Sequence, residues 1–466
     1  MSLHLHRLLA TTAPCALLIA VAVAPGHAQA APDATTLQLP ALAIEAAEGG
    51  YQVPNSALRK LSAPLVDTPQ TVSTVSRQLM DDQGATTMRD ALRNVPGISI
   101  AAGEFGAQGD NLTIRGFTAR NDIYIDGMRD FGSYYRDPFY LDGIEVLKGP
   151  SSILFGRGST GGIVEQNSKR AMLGPLTAGT LGFGTDGTKR ITADVNRPLS
   201  DSAAIRLNVM GQNGGVAGRD EAENSRIGFA GSLALGLGTP TRFTFDYLHQ
   251  SEYDVPDYGL PWIYRPTGGA TGLARPAPLD AASGNFYGFK NNDFLRTNVD
   301  IITAKVEHDL NDKVVLTNQL RFGHYVRQFR ITEPLIFTSA SATTPGASGV
   351  PLLVAAATPL SAVNVSRNQL FGTSLETSLD DQLDATTKFT TGFISHTLVG
   401  GIELGRETSD PVRNTTIGPY SQTLLLNPNP DQTYNANTYL ASRTETTAYT
   451  QAAYFMDTLE FDKHCS

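Results

Sequence analysis

From Leu173 to the end of the chain, apolar and polar residues alternate in short segments separated by polar, glycine-rich stretches. Ile191, Ala193 and Val195 interleave with Thr192, Asp194 and Asn196, and Ile205, Leu207 and Val209 with Arg206 and Asn208. Phe243, Phe245 and Tyr247 interleave with Arg242, Thr244 and Asp246. Leu316, Leu320, Phe322 and Val326 sit among Thr317, Gln319, Arg321 and Arg327, and Leu398, Ile402 and Leu404 follow His396-Thr397. A period of two is a strand signal, because successive side chains point to opposite faces. The segments are joined by short turns such as Pro198-Leu199-Ser200-Asp201 and by long loops at about 251–295, 332–366 and 408–443. Two folds bury one face of such strands. One is a membrane β-barrel, apolar outside and polar inside. The other is a water-exposed β-sandwich, whose sheets are wet on one side.

The N-terminus favours export. His4, His6 and Arg7 precede an apolar run from Cys15 to Val23, and Ala28-Gln29-Ala30 supplies a small-x-small cleavage site. This pattern predicts a signal peptide over 1–30, cleaved after Ala30; the apolar run is too short to span a bilayer. Cys15 leaves with it, so Cys465 has no partner for an internal disulfide. No later segment is long and apolar enough for a membrane helix. The net charge of -9 argues against a nucleic-acid binder, which needs a basic face.

Residues 61–172 read differently, as a compact α/β segment. Asp67-Thr68-Pro69-Gln70-Thr71-Val72 is predicted to be extended. Thr86 to Val95 has helical spacing with Met88, Ala91, Leu92 and Val95 on one face, and Pro96-Gly97 stops it. Leu112–Ile114 and Ile123–Ile125 are short strands, and Asp126-Gly127 is a turn signal. Asn111-Leu112-Thr113 matches a glycosylation sequon but reads as a strand entry. Gly156 to Gly161 matches G-x-G-x-x-G, yet a dinucleotide site needs a following helix and an acidic residue about twenty positions on. The nearest candidate, Asp186, lies in a turn. The histidines left after processing, His249, His308, His324, His396 and His464, are scattered. No zinc-like set and no nucleophile–base set emerges, so neither a catalytic residue nor a bound metal is expected.

Between Asn111 and Lys169 a series of short marks follows in order: Arg115-Gly116-Phe117, Ile125-Asp126-Gly127, Ile144-Glu145-Val146-Leu147-Lys148-Gly149-Pro150, Gly156-Arg157-Gly158 and Gly161-Gly162. Together they resemble the plug domain of TonB-dependent outer-membrane siderophore receptors. The resemblance implies an α+β plug followed by an antiparallel transmembrane β-barrel, which in this family has 22 strands. It implies a flexible leader over 31–60, a plug over 61–172 and the N-terminal part of the barrel over 173–466. Within the leader, Ala41-Leu42-Ala43-Ile44-Glu45-Ala46 is placed like the TonB box. Through such a segment the periplasmic coupling protein adds a strand and pulls.

The implied function is energy-coupled uptake of ferric siderophores in the outer membrane, with iron carried as cargo and no resident cofactor. The implied ligand contacts lie at the plug tip and one loop: Phe105, Gln108, Arg129, Phe131, Tyr134, Tyr135, Arg136 and Trp262. Aromatic rings there can stack on chelate rings, and arginines can offset a ferric catecholate's charge. Arg115, Gly116, Asp126, Gly127, Glu145, Lys148, Gly149, Pro150, Gly156, Gly158, Gly161 and Gly162 are the implied structural frame. Arg115, Glu145, Lys148 and Arg157 are expected to reach the barrel wall. The chain departs from the family in offering roughly ten barrel strands and in ending on Ser466 instead of an aromatic residue. A truncated receptor is therefore expected, and the alternative is a non-transporting remnant whose plug and leader bind the coupling protein.

Overall fold

The computed structural model describes residues 50–58, 60–61, 63–101, 109–156, 159–265, 273–276, 283–335, 359–417, 420–434 and 437–461, all within one compact unit, Gly49–Ser466. The signal-peptide and leader expectations for 1–49, including Ala41 to Ala46, lie outside the described residues, as do Phe105, Gln108, Arg157 and Gly158.

The first layer is a small mixed sheet. Its strands are β1 (Thr71–Ser76), β5 (Ile123–Ile125), β6 (Met128–Arg129), β7 (Leu141–Lys148) and β8 (Gly162–Ser168), in the order β1-β7-β8-β5-β6. Only the β5–β8 pairing is parallel. A second sheet of β2 (Ile98–Ile100), β3 (Leu112–Ile114) and β4 (Phe117–Thr118) lies beside two short helices, α1 (Arg77–Asp82) and α2 (Met88–Leu92). Thr87 and Asp90 form a reciprocal capping box at the start of α2, which explains why the helix begins there. Met88, Ala91, Leu92 and Val95 are all buried, as their spacing predicts. The extended run expected from Asp67 starts later: Leu65–Asp67 is a 3-10 turn, and pairing begins at Thr71.

The short marks of the sequence are mostly turns. Ile114 pairs with Phe117 across Arg115-Gly116, and Ile125 with Met128 across Asp126-Gly127. Both turns need φ > 0 at both central residues: 52° and 83° in the first, 49° and 83° in the second. Such two-residue turns match the right-handed twist of the strands, and glycine takes the second position without strain. Gly156 ends a helical turn at Ser152–Phe155, and Gly162 opens β8. The glycine motif thus runs from helix to strand, the reverse of a dinucleotide site.

The second layer is a twelve-stranded sheet. Its main path is β9 (Leu176–Phe183), β10 (Lys189–Ser200), β11 (Ala203–Gly215), β12 (Glu223–Leu235), β13 (Thr241–Asp254), β16 (Phe294–Asn311), β17 (Val314–Leu335), β18 (Asn364–Thr391) and β19 (Ile394–Ile417). A pair, β14 (Trp262–Arg265) and β15 (Leu273–Pro276), decorates the β13–β16 connection. β20 (Ser421–Leu424) pairs with β18, while β21 (Asn437–Arg443) and β22 (Thr446–Phe461) share the far edge of β19. Every pairing in this sheet is antiparallel. Connections at one end are tight, such as 201–202, 312–313 and 392–393, and those at the other end are long. β19 runs to Ile417, well past the loop start expected near 408.

Burial in this sheet is inverted relative to a water-soluble protein. Leu181 is 71% exposed, Ile227 60% and Phe322 43%, whereas Arg206 is 6%, Arg226 4% and Arg321 2% exposed. Apolar side chains face outward along the alternation, and polar ones face the plug. Water would penalise that outer face, and lipid would not. No helix among the described residues is long and apolar enough to cross a membrane.

The plug sheet buries one carboxylate without full pairing. Glu165 of β8 is wholly buried; its Oε1 accepts the Gly127 N–H at 2.8 Å, and its Oε2 has no partner. Burial, then the Asp126 carboxylate, push its pKa well above the ordinary value of 4.5. The folded chain therefore retains a proton that the unfolded chain releases. Glu165 does not weaken folding below pH about 4.5, and its destabilising effect grows as pH rises from there toward the folded value. We expect Glu165→Gln to stabilise the plug by about 1–2 kcal/mol at pH 8 and by little at pH 4. Hydrogen exchange of the β8 amides at both pH values measures this, and a pH-independent effect would refute it.

Candidate functional site

The plug is clamped to the inner wall by a few buried polar contacts. Asp137, fully buried, takes a bidentate pair from Arg190 of β10, both distances 2.7 Å. Arg321 of β17 donates to the Ile125 carbonyl at 2.7 Å. Gln250 of β13 donates to the Tyr135 carbonyl at 2.5 Å and accepts the Asp137 N–H at 3.2 Å. The ring of Tyr325 lies so close over Gly132 that an added Cβ would sit 2.2 Å from it.

Among the described residues, these are side chains that join plug to wall; Arg157, also expected there, lies outside them. Glu145 turns inward to the plug instead: it accepts from Ser56 Oγ, from Ala57 N–H at 2.7 Å and from Asn167 at 3.0 Å. Arg115 sits in its turn, with its amide on the Gly97 carbonyl at 2.7 Å. Lys148 is buried at the end of β7, opposite Thr71 and Gly162. Gly149 donates to Gly161 at 2.8 Å, and Pro150 follows where β7 ends.

The loop after β6 was expected to present Arg129, Phe131, Tyr134, Tyr135 and Arg136 to a ligand, and the structure divides them. Arg136 is 1% exposed and pairs with Asp130 at 2.7 Å, while its amide donates to Asp110 at 2.9 Å. Burial opposes its charge, but Asp130, Tyr134 and Asp110 more than offset this and hold its pKa above the usual range. Tyr134, also 1% exposed, donates to Asp130 at 2.8 Å and lies 4.3 Å beneath the Arg136 guanidinium. Burial, and then the Asp130 carboxylate, push the Tyr134 hydroxyl well above its ordinary pKa. Neither residue is available to a ligand, because together they form the charged knot that shapes the loop. Arg129 turns to a different cavity, where it meets Tyr124 beside Lys60 and Glu403. Phe131 packs edge-on against Tyr325 at 5.6 Å, and Tyr135 lies 4.7 Å from Arg89 and 5.8 Å from Arg226. Trp262 opens β14, on the long-loop side.

The better-placed site is a cavity of about 310 Å³ between plug and wall, toward the long-loop end. The plug contributes Gly109, Asp110, Asn111, Arg120 and Ser133, directly after the Gly103–Gln108 segment that lies outside the described residues. The wall contributes Arg327 and Phe329 of β17, Glu376 of β18, and Arg413 of β19. Arg120 donates to Ser133 Oγ. Three guanidinium groups, offset in part by the Asp110 and Glu376 carboxylates, together with one ring and several hydroxyls suit an anionic ligand with flat rings. Sequence reasoning passed over Arg120, Arg327 and Arg413. Arg327 was legible as an inward position of the alternation, but its meeting with Arg120 depends on how the plug sits against β17.

A family model described as "TonB-dependent Receptor Plug Domain" matches residues 64–163. The catecholate siderophore receptor Fiu of Escherichia coli K12 is 36% identical over 379 residues, which is 79% of this chain and 48% of that protein. The crystal structure of the siderophore receptor PiuA from Acinetobacter baumannii superposes with a TM-score of 0.76 at 31% identity, covering 88% of this chain and 58% of that one. The closed form of the ferric-catecholate import receptor Fiu gives a TM-score of 0.77 at 31% identity, covering 89% of this chain and 57% of that one. The chain spans about half the length of the curated relatives it matches. With the plug motifs, the inverted barrel sheet and these likenesses in agreement, the chain belongs to the TonB-dependent siderophore receptor family.

Proposed function

We propose that this chain serves as the plug-bearing part of an outer-membrane receptor that takes up ferric siderophores at the expense of energy delivered by TonB. The observation that carries this reading is the cationic cavity of Arg120, Arg327 and Arg413 on the long-loop side, beside the plug tip. A ferric catecholate is anionic and carries aromatic rings, so it matches that lining, and Fiu is named for catecholates. Phe105 and Gln108, close in sequence to the cavity's Gly109 and Asn111, belong to the same proposed ligand site. The segment Ala41 to Ala46 would pair with the coupling protein as an added strand, and force on it would remodel the plug. The chain's own residues bind and position; no bond of the ligand changes.

The test is equilibrium binding of a ferric tris-catecholate complex to the detergent-solubilised chain, read by tryptophan and tyrosine fluorescence. Arg327→Gln with Arg413→Gln is expected to weaken binding by at least tenfold, since each charged hydrogen bond is worth about 1.5–3 kcal/mol. Undiminished binding by the double variant would assign the ligand elsewhere.

A further inference from the structure

The cavity between plug and wall holds two carboxylates among its arginines, and the two are placed differently. Asp110 belongs to the plug's own knot. It accepts the Arg136 amide at 2.9 Å and lies 3.6 Å from that guanidinium and 3.7 Å from the Arg89 side chain. Neither of those arginines lines the cavity, so the charge of Asp110 is met from behind. Glu376 of β18 faces the other way. It is 7% exposed, and the cations that act on it, Arg327 and Arg120, are two of the three guanidinium groups of the cavity itself.

Glu376 also reaches the plug. Its carboxylate accepts the backbone N–H of Ser133, and the Ser133 hydroxyl accepts a hydrogen bond from Arg120. Strand register sets Glu376 opposite Tyr325, whose ring lies against Gly132. Two neighbouring residues of the wall thus hold two neighbouring residues of the loop after β6. Tyr325 holds Gly132 by packing, and Glu376 holds Ser133 by a charged hydrogen bond. Only the second of these ties passes through the lining of the cavity.

Guanidinium groups that converge repel one another, and burying them without an anion is costly. Glu376 supplies that anion before a ligand binds. A ligand whose own oxygens pair with Arg120 and Arg327 brings a second negative charge to the same place, where it repels the carboxylate. We propose that Glu376 is the internal counter-ion of the ligand site and a positioning residue. It holds Arg120, Arg327 and Ser133 in place until an anionic ligand displaces it, and the displacement unties the plug loop from the wall. This inference rests on the uptake reading. Coupling of this kind is reciprocal: a ligand that loosens the loop binds less tightly than it would to a site without the tie.

The experiment pairs equilibrium binding of a ferric tris-catecholate complex with hydrogen exchange of the 130–136 amides, on the full chain in detergent. In the unaltered chain, the complex should accelerate exchange at Ser133 by roughly tenfold. Glu376→Gln keeps an acceptor for the Ser133 amide but removes the charge. This variant should bind the complex roughly tenfold more tightly, and binding should no longer alter exchange at Ser133. Glu403→Gln removes a carboxylate from the separate cavity beside Arg129 and should leave affinity unchanged. A purely structural Glu376 predicts the opposite pattern, faster exchange in ligand-free Glu376→Gln with no gain in affinity, and that result overturns the proposal. Equal tightening by Glu403→Gln overturns it too, because the effect would then be one of overall charge. An unaltered chain that binds no complex sinks the uptake reading and this inference with it. Binding that Glu376→Gln leaves unchanged sinks this inference alone.

Discussion

Arg136→Ala is expected to cost the plug about 3–5 kcal/mol, the range for leaving one half of a buried ion pair uncompensated. Arg136 is 1% exposed, Asp130 is fully buried, and the Arg136 fork also reaches the carbonyls of Asp130 at 2.9 Å and Gly132 at 3.0 Å. Removing it takes the guanidinium donor from Asp130 and the cation 3.6 Å away from Asp110, which keeps the residue-136 amide, and Tyr134 loses the cation 4.3 Å above its ring. The effect should be local. Hydrogen exchange of the amides from 109 to 137 should accelerate, while β16–β18 remains protected. Arg136→Lys should rescue little, because an ammonium cannot satisfy the same spread of acceptors. Unchanged exchange across 109–137 in Arg136→Ala would show that the knot contributes nothing to the loop.

Gly162→Ala is expected to be comparably severe, at about 2–6 kcal/mol. Gly162 has φ near 135°, a conformation that an L side chain takes only with strain of about 1–3 kcal/mol. An added Cβ would also stand 2.0 Å from the Leu147 carbonyl oxygen, a backbone atom fixed by the β7–β8 ladder. Relieving that overlap must part the central strands of the plug sheet, which adds an overpacking cost of about 1–3 kcal/mol. Gly84→Ala offers a contrast. It has φ near 60° but nothing within 4 Å of the added Cβ, so it should show the strain alone. Measured side by side by denaturant titration of plug-specific exchange, the two variants separate strain from collision. Equal losses would mean that β7 and β8 yield easily.

Much of the fold was legible because it rests on local rules. The face of α2 follows from its spacing, and the Arg115-Gly116 and Asp126-Gly127 turns follow from what glycine permits. The barrel sheet was legible as strands, since alternation alone carries it. Whether its apolar face met lipid or a second sheet was not, because a sandwich alternates in the same way. The exposure of Leu181 and Ile227 against the burial of Arg206 and Arg226 decides that question.

The candidate site was less legible. A Tyr-Tyr-Arg run near a plug tip reads as ligand-binding chemistry, yet Tyr134 and Arg136 spend that chemistry on Asp130 and Asp110. Asp110 stands 26 residues away, and no periodicity in the chain announces the pairing. Arg120, Arg327 and Arg413 come together from the plug and two strands of the wall, across a gap set only by how the plug seats.

By itself, the sequence determined the plug family, the strand texture and the tight turns, because motif order, two-residue periodicity and positive φ are properties of neighbouring residues. The tertiary structure alone decided which charges line the cavity between plug and wall and which lock the plug. Those roles depend on burial and on partners brought in by strand register, and a side chain's neighbours in space are not its neighbours in sequence.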